Sequence, residues 1–169
     1  VNEAYLRTLN DPLVVPELSR FNVELNAAPI EVGAGVLYAM EASLNATWGR
    51  CQQVAHGMDA VLAMIGILPT IRESDLCLEN ISAMKRYDAL NAQVLQQRNG
   101  EPIHIDIQGQ DHLLAQHPDV MLEAATTSFQ LHLQVPFEHA SDYFNATLQT
   151  CAPLLAVGVN SPLFFGHRL

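Results

Sequence analysis

The residue of this sequence best suited to chemistry is a carboxylate inside a strand pattern. Glu24 lies in the segment RFNVELN, where apolar Val23 and Leu25 alternate with polar Asn22 and Asn26. A carboxylate is costly to bury without a cation or hydrogen-bond donors, and Mg2+ prefers oxygen ligands. We therefore predict that Glu24 binds a hard divalent cation. The alternative interpretation is an ordinary salt bridge.

Two later segments show the same alternation. In SFQLHLQV the polar residues Gln130, His132 and Gln134 alternate with apolar ones, and PIHIDIQG follows the same pattern. A period of two predicts strands with one wet face. The polar positions carry hydrogen-bonding and metal-capable side chains and few long flexible ones. The hypothesis is a ligand-facing sheet surface on which Glu24 and Gln130 share one side; the alternative is a merely solvated face.

Other motifs that would indicate a reaction are missing from the sequence. Seven histidines occur, but none forms an HxxxH, HExxH or Cys/His zinc pattern. There is no P-loop and no GxSxG segment. Three cysteines, Cys51, Cys77 and Cys151, are odd in number and lack CxxC spacing. We interpret them as reduced thiols of a cytoplasmic protein.

The elements that must position these residues follow from periodicity. Apolar residues at three- and four-residue spacing predict a long helix over residues 36–55, a shorter helix over Tyr87–Val94, and a third that starts near Ala140 and is closed by Pro153. The run VLAMIGILP predicts a buried strand that ends at Pro69. The predicted fold class is α+β, an antiparallel sheet with helices packed on its apolar face.

Size and charge bound the class of protein. The 169 residues suit a single domain, and 18 acidic against 8 basic residues give a net charge of −10. Without a Lys/Arg cluster, neither nucleic acid nor an anionic membrane surface is an expected partner. The longest apolar run is too short to span a bilayer. The first residues lack the pattern of a secretory signal.

Five sequence blocks, in order, resemble the ATP-dependent glutamate–cysteine ligases of the branch shared by plants and many bacteria. The blocks are PELSRFNVELNAAP, IGILPTIRESDL, SAMKRYDALN, EAATTSFQLHLQV and PLLAVGVNSPLFFG, and they cover most of the chain from Pro16 to Gly166. Each block alone is weak, whereas five in the family's order make a fairly specific match.

The resemblance implies a fold similar to the glutamine synthetase/guanido kinase catalytic domain. In that fold a curved antiparallel sheet presents its polar concave face to metals, ATP and an amino acid. The implied chemistry is phosphorylation of the glutamate γ-carboxylate by ATP with Mg2+, followed by attack of an amine such as that of cysteine on the acyl phosphate.

The resemblance also implies roles for individual residues. Glu24 matches the family's metal-binding strand glutamate. The pair Arg86 and Tyr87 matches the Arg–Tyr pair after the Met-Lys turn, where a guanidinium binds phosphate or carboxylate. Gln130 matches a strand glutamine, and His132 stands where an asparagine is common. A further match is Asn160 in the NSP segment near the binding cleft.

Parts of the family pattern lie outside these residues. The pair of metal-binding glutamates is expected before Val1, and segments bearing arginine and glutamate after Leu169. We therefore expect residues 1–169 to be the central fragment of a larger, here incomplete, catalytic domain, with unpaired sheet edges that let copies associate as homo-oligomers. Two alternatives stay open: a ligase for another acid–amine pair, and a non-catalytic homologue that binds a metabolite or nucleotide.

Overall fold

The structure, a computed structural model, describes residues 2–169. Four α-helices dominate it, and short 3-10 turns connect several of the elements. The helices are α1 (Asn2–Leu9), α2 (Val36–Gly57), α3 (Lys85–Gln97) and α4 (Ala140–Gly158). Within residues 2–169, no helix is both long enough and apolar enough to cross a bilayer.

The strands form three separate antiparallel hairpins. They are β1 (Val14–Pro16) with β2 (Val23–Leu25), β3 (Ile103–Gln108) with β4 (His112–His117), and β5 (Leu163–Phe164) with β6 (His167–Arg168). Helices and antiparallel hairpins together make an α+β chain, as predicted. The strands within residues 2–169 form three two-stranded sheets and not one curved sheet, so the curved sheet stays a prediction.

The strongly periodic segments fold as their patterns predict. The long helix forms as α2, the shorter one as α3, and the strands RFNVELN and PIHIDIQG as β2 and β3. The predicted end of α4 is wrong, because Pro153 lies inside the helix, which continues to Gly158. Proline removes one helical hydrogen bond, and the good helix formers that follow it resume the helical backbone.

Two predicted strands are absent from the described structure. The run VLAMIGILP forms an irregular segment in which Val61 is 92% exposed, and SFQLHLQV lies in neither a helix nor a strand. A strand exists only through hydrogen bonds to a neighbour. One isolated bridge, Ile67 to Thr126, joins these two regions. The apolar residues Phe129, Leu131 and Leu133 consequently lie exposed.

The core consists of two clusters of buried apolar side chains. The larger gathers around Met121 and includes Leu113 of β4, Tyr87 of α3 and Phe164 of β5. The smaller joins α1 to α2 through Tyr5 and Cys51, and adds Val14, Ala55 and several partly buried neighbours. Helix α4 has no buried residue.

A buried polar network connects the first hairpin to the segment before α3. The side-chain amide of Asn2 donates to the carbonyl of Ser19 at 3.1 Å and to Oγ of Ser82 at 3.0 Å. The Ser82 amide donates to Leu18 at 2.8 Å, and its hydroxyl donates to the carbonyl of Glu17. These bonds hold the β1–β2 connection against the start of α3.

The C-terminal hairpin docks on the turn between β3 and β4. Asp111 accepts from the backbone amide of Arg168 at 2.8 Å and forms an ion pair with its guanidinium at 3.3 Å. This guanidinium, bonded to the carboxylate, lowers the pKa of Asp111 below its usual range. Gly109 lies directly beneath Leu169, so a β-carbon there would sit 2.5 Å from the Leu169 α-carbon.

We therefore expect Gly109→Ala to destabilise the protein by about 1–3 kcal/mol, the usual cost of forcing atoms into a filled site. Thermal unfolding would measure the change. Gly49→Ala is the matched control, because Gly49 lies in α2 with open space around it. Alanine there is expected to be neutral or to stabilise by about 0.5–1 kcal/mol. Equal melting temperatures for the two variants would contradict the close docking of Leu169.

Candidate functional site

Glu24 lies at the first hairpin with its carboxylate open to solvent. Its strand partner is Val15 of β1, and the neighbouring carbonyl of Pro16 accepts a hydrogen bond from the Tyr87 hydroxyl at 3.1 Å. Burial raises the pKa of Tyr87, the Arg86 guanidinium opposes this rise in part, and the negative charges of Glu17 and Glu24 add to it. The structure thus brings Glu24 within electrostatic reach of Tyr87, two residues that are far apart in sequence.

Arg86 joins the same group through its guanidinium. This guanidinium lies over the Tyr87 ring, 4.5 Å from the ring centroid. One of its nitrogens donates to the Pro16 carbonyl at 3.0 Å and to the Tyr87 hydroxyl. Arg86 therefore connects α3 to β1 and retains further donors, since a guanidinium has five N–H groups. Glu24, Arg86 and Tyr87 form a first group, here called the hairpin group.

Gln130 and His132 form a separate pair in the segment SFQLHLQV. The Gln130 amide donates to Ser128 Oγ at 3.2 Å, and its oxygen lies 3.1 Å from Nε2 of His132. All three side chains are exposed. The prediction that Gln130 and Glu24 share one side of one sheet is wrong for the described residues, because Gln130 lies in no sheet.

Asn160 contacts a third region, the loop at Gly66. Its side-chain oxygen accepts from the Gly66 amide at 3.0 Å, and the Gly66 carbonyl accepts from the Thr127 amide at 2.7 Å. A β-carbon at Gly66 would lie 2.8 Å from the Asn160 oxygen. The loop therefore joins Asn160 to the residues that lead into Gln130, and a side chain at position 66 would displace the side chains of Asn160 and Ser161.

One contact links the region of the hairpin group to the region of Gln130. The amide of Asn22, two residues before Glu24, donates to the Ala124 carbonyl at 3.0 Å. Thr127, three residues after Ala124, donates its backbone amide to the Gly66 carbonyl. Among residues 2–169, no direct hydrogen bond joins the hairpin group to Gln130, His132 or Asn160.

The donor atoms near Glu24 suit only a cation that brings ligands of its own. Across the described chain, no group of three His, Cys, Asp or Glu side chains could hold a metal ion. Mg2+ commonly takes one or two protein carboxylates and completes its shell with water and substrate phosphates. Glu24 makes no ion pair within residues 2–169, so its carboxylate fits that limited role.

Sequence reasoning missed Glu17 as a member of this surface. Its charge acts on Tyr87, and its carboxylate accepts from the Leu18 amide at 2.7 Å. The only available signal was its place in the block PELSRFNVELNAAP, seven residues before Glu24. A single glutamate before a leucine carries no periodic pattern, so spacing could not distinguish it.

Fold and site together define an α+β chain with an exposed strand carboxylate beside an Arg–Tyr pair. The family model for glutamate-cysteine ligase family 2 matches residues 3–168, nearly the whole chain. The chain therefore belongs to glutamate-cysteine ligase family 2, and the resemblance noted from the five blocks is confirmed. No curated protein and no solved structure matches the chain.

The raised pKa of Tyr87 predicts a loss of stability in alkali. Its phenol keeps its proton in the folded state at pH values where the unfolded chain, with an ordinary pKa near 10, has lost it. The stability is therefore complete below about pH 10 and falls as the pH rises through the raised pKa. Tyr87→Phe should flatten this alkaline decline and cost about 1 kcal/mol at neutral pH through the lost hydrogen bond to Pro16.

Urea unfolding at several pH values between neutrality and strong alkali would measure both effects. Tyr38→Phe is the matched control, because Tyr38 is 79% exposed. Burial also raises the pKa of Tyr5, which is present in both variants and leaves the comparison intact. An alkaline decline of equal slope in the wild type and Tyr87→Phe would contradict the assignment.

Proposed function

We propose that this protein is an ATP-dependent ligase that joins the γ-carboxylate of glutamate to the amine of cysteine. The reaction would pass through a glutamyl acyl phosphate, which the amine attacks with release of phosphate. The observation that carries the proposal is the match to glutamate-cysteine ligase family 2 across residues 3–168. The free carboxylate of Glu24 beside the Arg86–Tyr87 pair supports it.

The residues of the hairpin group would hold charge during phosphoryl transfer. Glu24 would contribute a carboxylate ligand to Mg2+, which neutralises phosphate charge when it is bound. The unused donors of Arg86 would bind a phosphate or carboxylate oxygen, and Tyr87 would hold that guanidinium against the first hairpin. Gln130, His132 and Asn160 would contact nucleotide or substrate from the other side of the cleft.

The architecture we propose for the working enzyme is the glutamine synthetase-like curved sheet. The alternation in SFQLHLQV has the pattern of a strand, and its exposed apolar side chains lack the cover that a sheet would give. Pairing of this segment with a neighbouring strand would order Gln130 and His132 on one polar face.

The three free cysteines are consistent with a cytoplasmic setting.

Two observations favour a second candidate function. The predicted site residues fall into separate groups with no common hydrogen bond, and His132 replaces an asparagine common in the family. A non-catalytic homologue that binds a metabolite or nucleotide would tolerate both features. A third candidate, a ligase for another acid–amine pair, would keep the same roles for Glu24 and Arg86. Measuring ADP release with a panel of acids and amines would distinguish the glutamate–cysteine ligase, the ligase for another pair and the non-catalytic homologue.

The decisive substitution is Glu24→Gln in the complete protein. It keeps the size and hydrogen-bonding capacity of the side chain but removes the charge on which a Mg2+ ligand depends. We expect turnover to fall by about two orders of magnitude or more, as for the loss of one electrostatic group at a transition state. Folding should change little, because the Glu24 carboxylate is exposed. ADP release against Mg2+ concentration, run beside a thermal melt, measures both.

Glu41→Gln is the matched control, since Glu41 is an exposed glutamate of α2. It should leave turnover and melting temperature unchanged. Wild-type turnover and unchanged Mg2+ dependence in Glu24→Gln would reject the metal role. No amine-dependent ADP release from the wild-type protein would favour the non-catalytic homologue.

A further inference from the structure

A concave surface elsewhere on the protein shares no residue with the hairpin group. It is a cavity of about 390 Å3 between residues 69–73, strand β4 and the C-terminal turn. Pockets that bind small molecules commonly have volumes of about 300–1,000 Å3. The residues that decide its chemistry are Arg72, Glu73, Leu113 and Phe165.

Arg72 brings an unused positive charge to this cavity. Among residues 2–169 it is the only arginine whose guanidinium makes neither a hydrogen bond nor an ion pair. The other six arginines all bond to carbonyls or carboxylates. The Arg72 side chain is exposed at the cavity, and its backbone amide is fixed by the Asp75 carboxylate at 2.9 Å. A fixed backbone with five unused donors is suited to binding an anion.

Glu73 brings the opposite charge to the same cavity. No lysine or arginine within residues 2–169 pairs with its carboxylate, whereas Nε2 of His117 lies 3.5 Å from one carboxylate oxygen. His117 is 97% buried, and its Nε2 has no hydrogen-bond partner. His117 therefore contacts Glu73 from the protein interior. The rest of the Glu73 carboxylate is open toward the cavity, where a bound cation would pair with it.

Phe165 supplies an apolar wall at a cost in backbone strain. It occupies the left-handed region with φ +49°, followed by Gly166 at φ +81°, the geometry of a tight hairpin turn that normally takes Asn-Gly. A bulky side chain in this region is uncommon, and such strain concentrates at functional sites. Its ring stacks on His117 with centroids 6.0 Å apart, beside Leu113 in the cavity wall.

We propose that this cavity binds a free α-amino acid with an apolar side chain. The ligand carboxylate would pair with Arg72, its ammonium with Glu73, and its side chain would lie against Phe165 and Leu113. An arginine without any partner and a glutamate without an arginine or lysine partner lie in one cavity, and this favours a zwitterion, because Glu73 repels polyanions and Arg72 repels polyamines. The site is independent of the proposed ligase reaction and needs neither ATP nor Mg2+.

Calorimetric titration of the complete protein without nucleotide tests this site. The probes are L-phenylalanine, L-phenylalaninamide, which lacks the carboxylate, and N-acetyl-L-phenylalanine, which lacks the ammonium. The wild type should bind L-phenylalanine about tenfold or more tightly than either analogue. Arg72→Met should lose the preference over the amide, and Glu73→Gln the preference over the acetylated analogue. Arg7→Met is the control, because Arg7 bonds only within α1.

Each other outcome overturns the proposal. No heat of binding with L-phenylalanine at millimolar concentration, or equal affinity in wild type, Arg72→Met and Glu73→Gln, would show that the cavity takes no zwitterion. Binding of glutamate or cysteine in preference to L-phenylalanine would assign the cavity to polar substrates. Ligase turnover is measured separately, so its absence would leave this result unaffected.

Discussion

The hydrogen bonds around Ser82 and Asn2 are the constraint on which the candidate site depends. The Asn2 side-chain amide nitrogen and the Ser82 hydroxyl are buried, and leaving such a donor unpaired would cost about 1–3 kcal/mol. Their shared bonds therefore fix the β1–β2 connection against the segment before α3. Glu24 and the Arg86–Tyr87 pair belong to those two parts of the chain. No direct bond joins Glu24 to either residue, so their proximity results from this network together with the bonds from Arg86 and Tyr87 to the Pro16 carbonyl of the paired strand.

The local sequence pattern predicts some of the helices and strands of this fold and misses others. Helix α2 follows from a regular apolar spacing over 22 residues, and β3 from strict alternation. The segment SFQLHLQV alternates just as clearly yet lies unpaired, because a strand depends on a neighbour that no local pattern specifies. Pro153 failed as a helix end for a related reason: proline lowers helix propensity but does not set a boundary where good helix formers follow.

The candidate site likewise combines residues that are adjacent in sequence, which could be predicted, with contacts between distant residues, which could not. The resemblance placed Arg86 beside Tyr87, and the structure keeps them together with the ring under the guanidinium. Their common bond to the Pro16 carbonyl, 70 residues away, has no trace in the sequence. Arg72 and Glu73 could not be predicted as site residues either. Two adjacent residues of opposite charge are common in solvated turns, and only the structure shows the cavity beside them.

The turn at Phe165 also bears on how the stability of the C-terminal hairpin depends on the rest of the chain. A hairpin of two-residue strands with a phenylalanine in the left-handed region has little tendency to close by itself. Its closure draws on the bonds from Arg168 to Asp111 in the β3–β4 turn and on the burial of Phe164 in the larger core. The C-terminal hairpin is therefore stable only where the β3–β4 turn and the larger core are formed, and loss of either would release it.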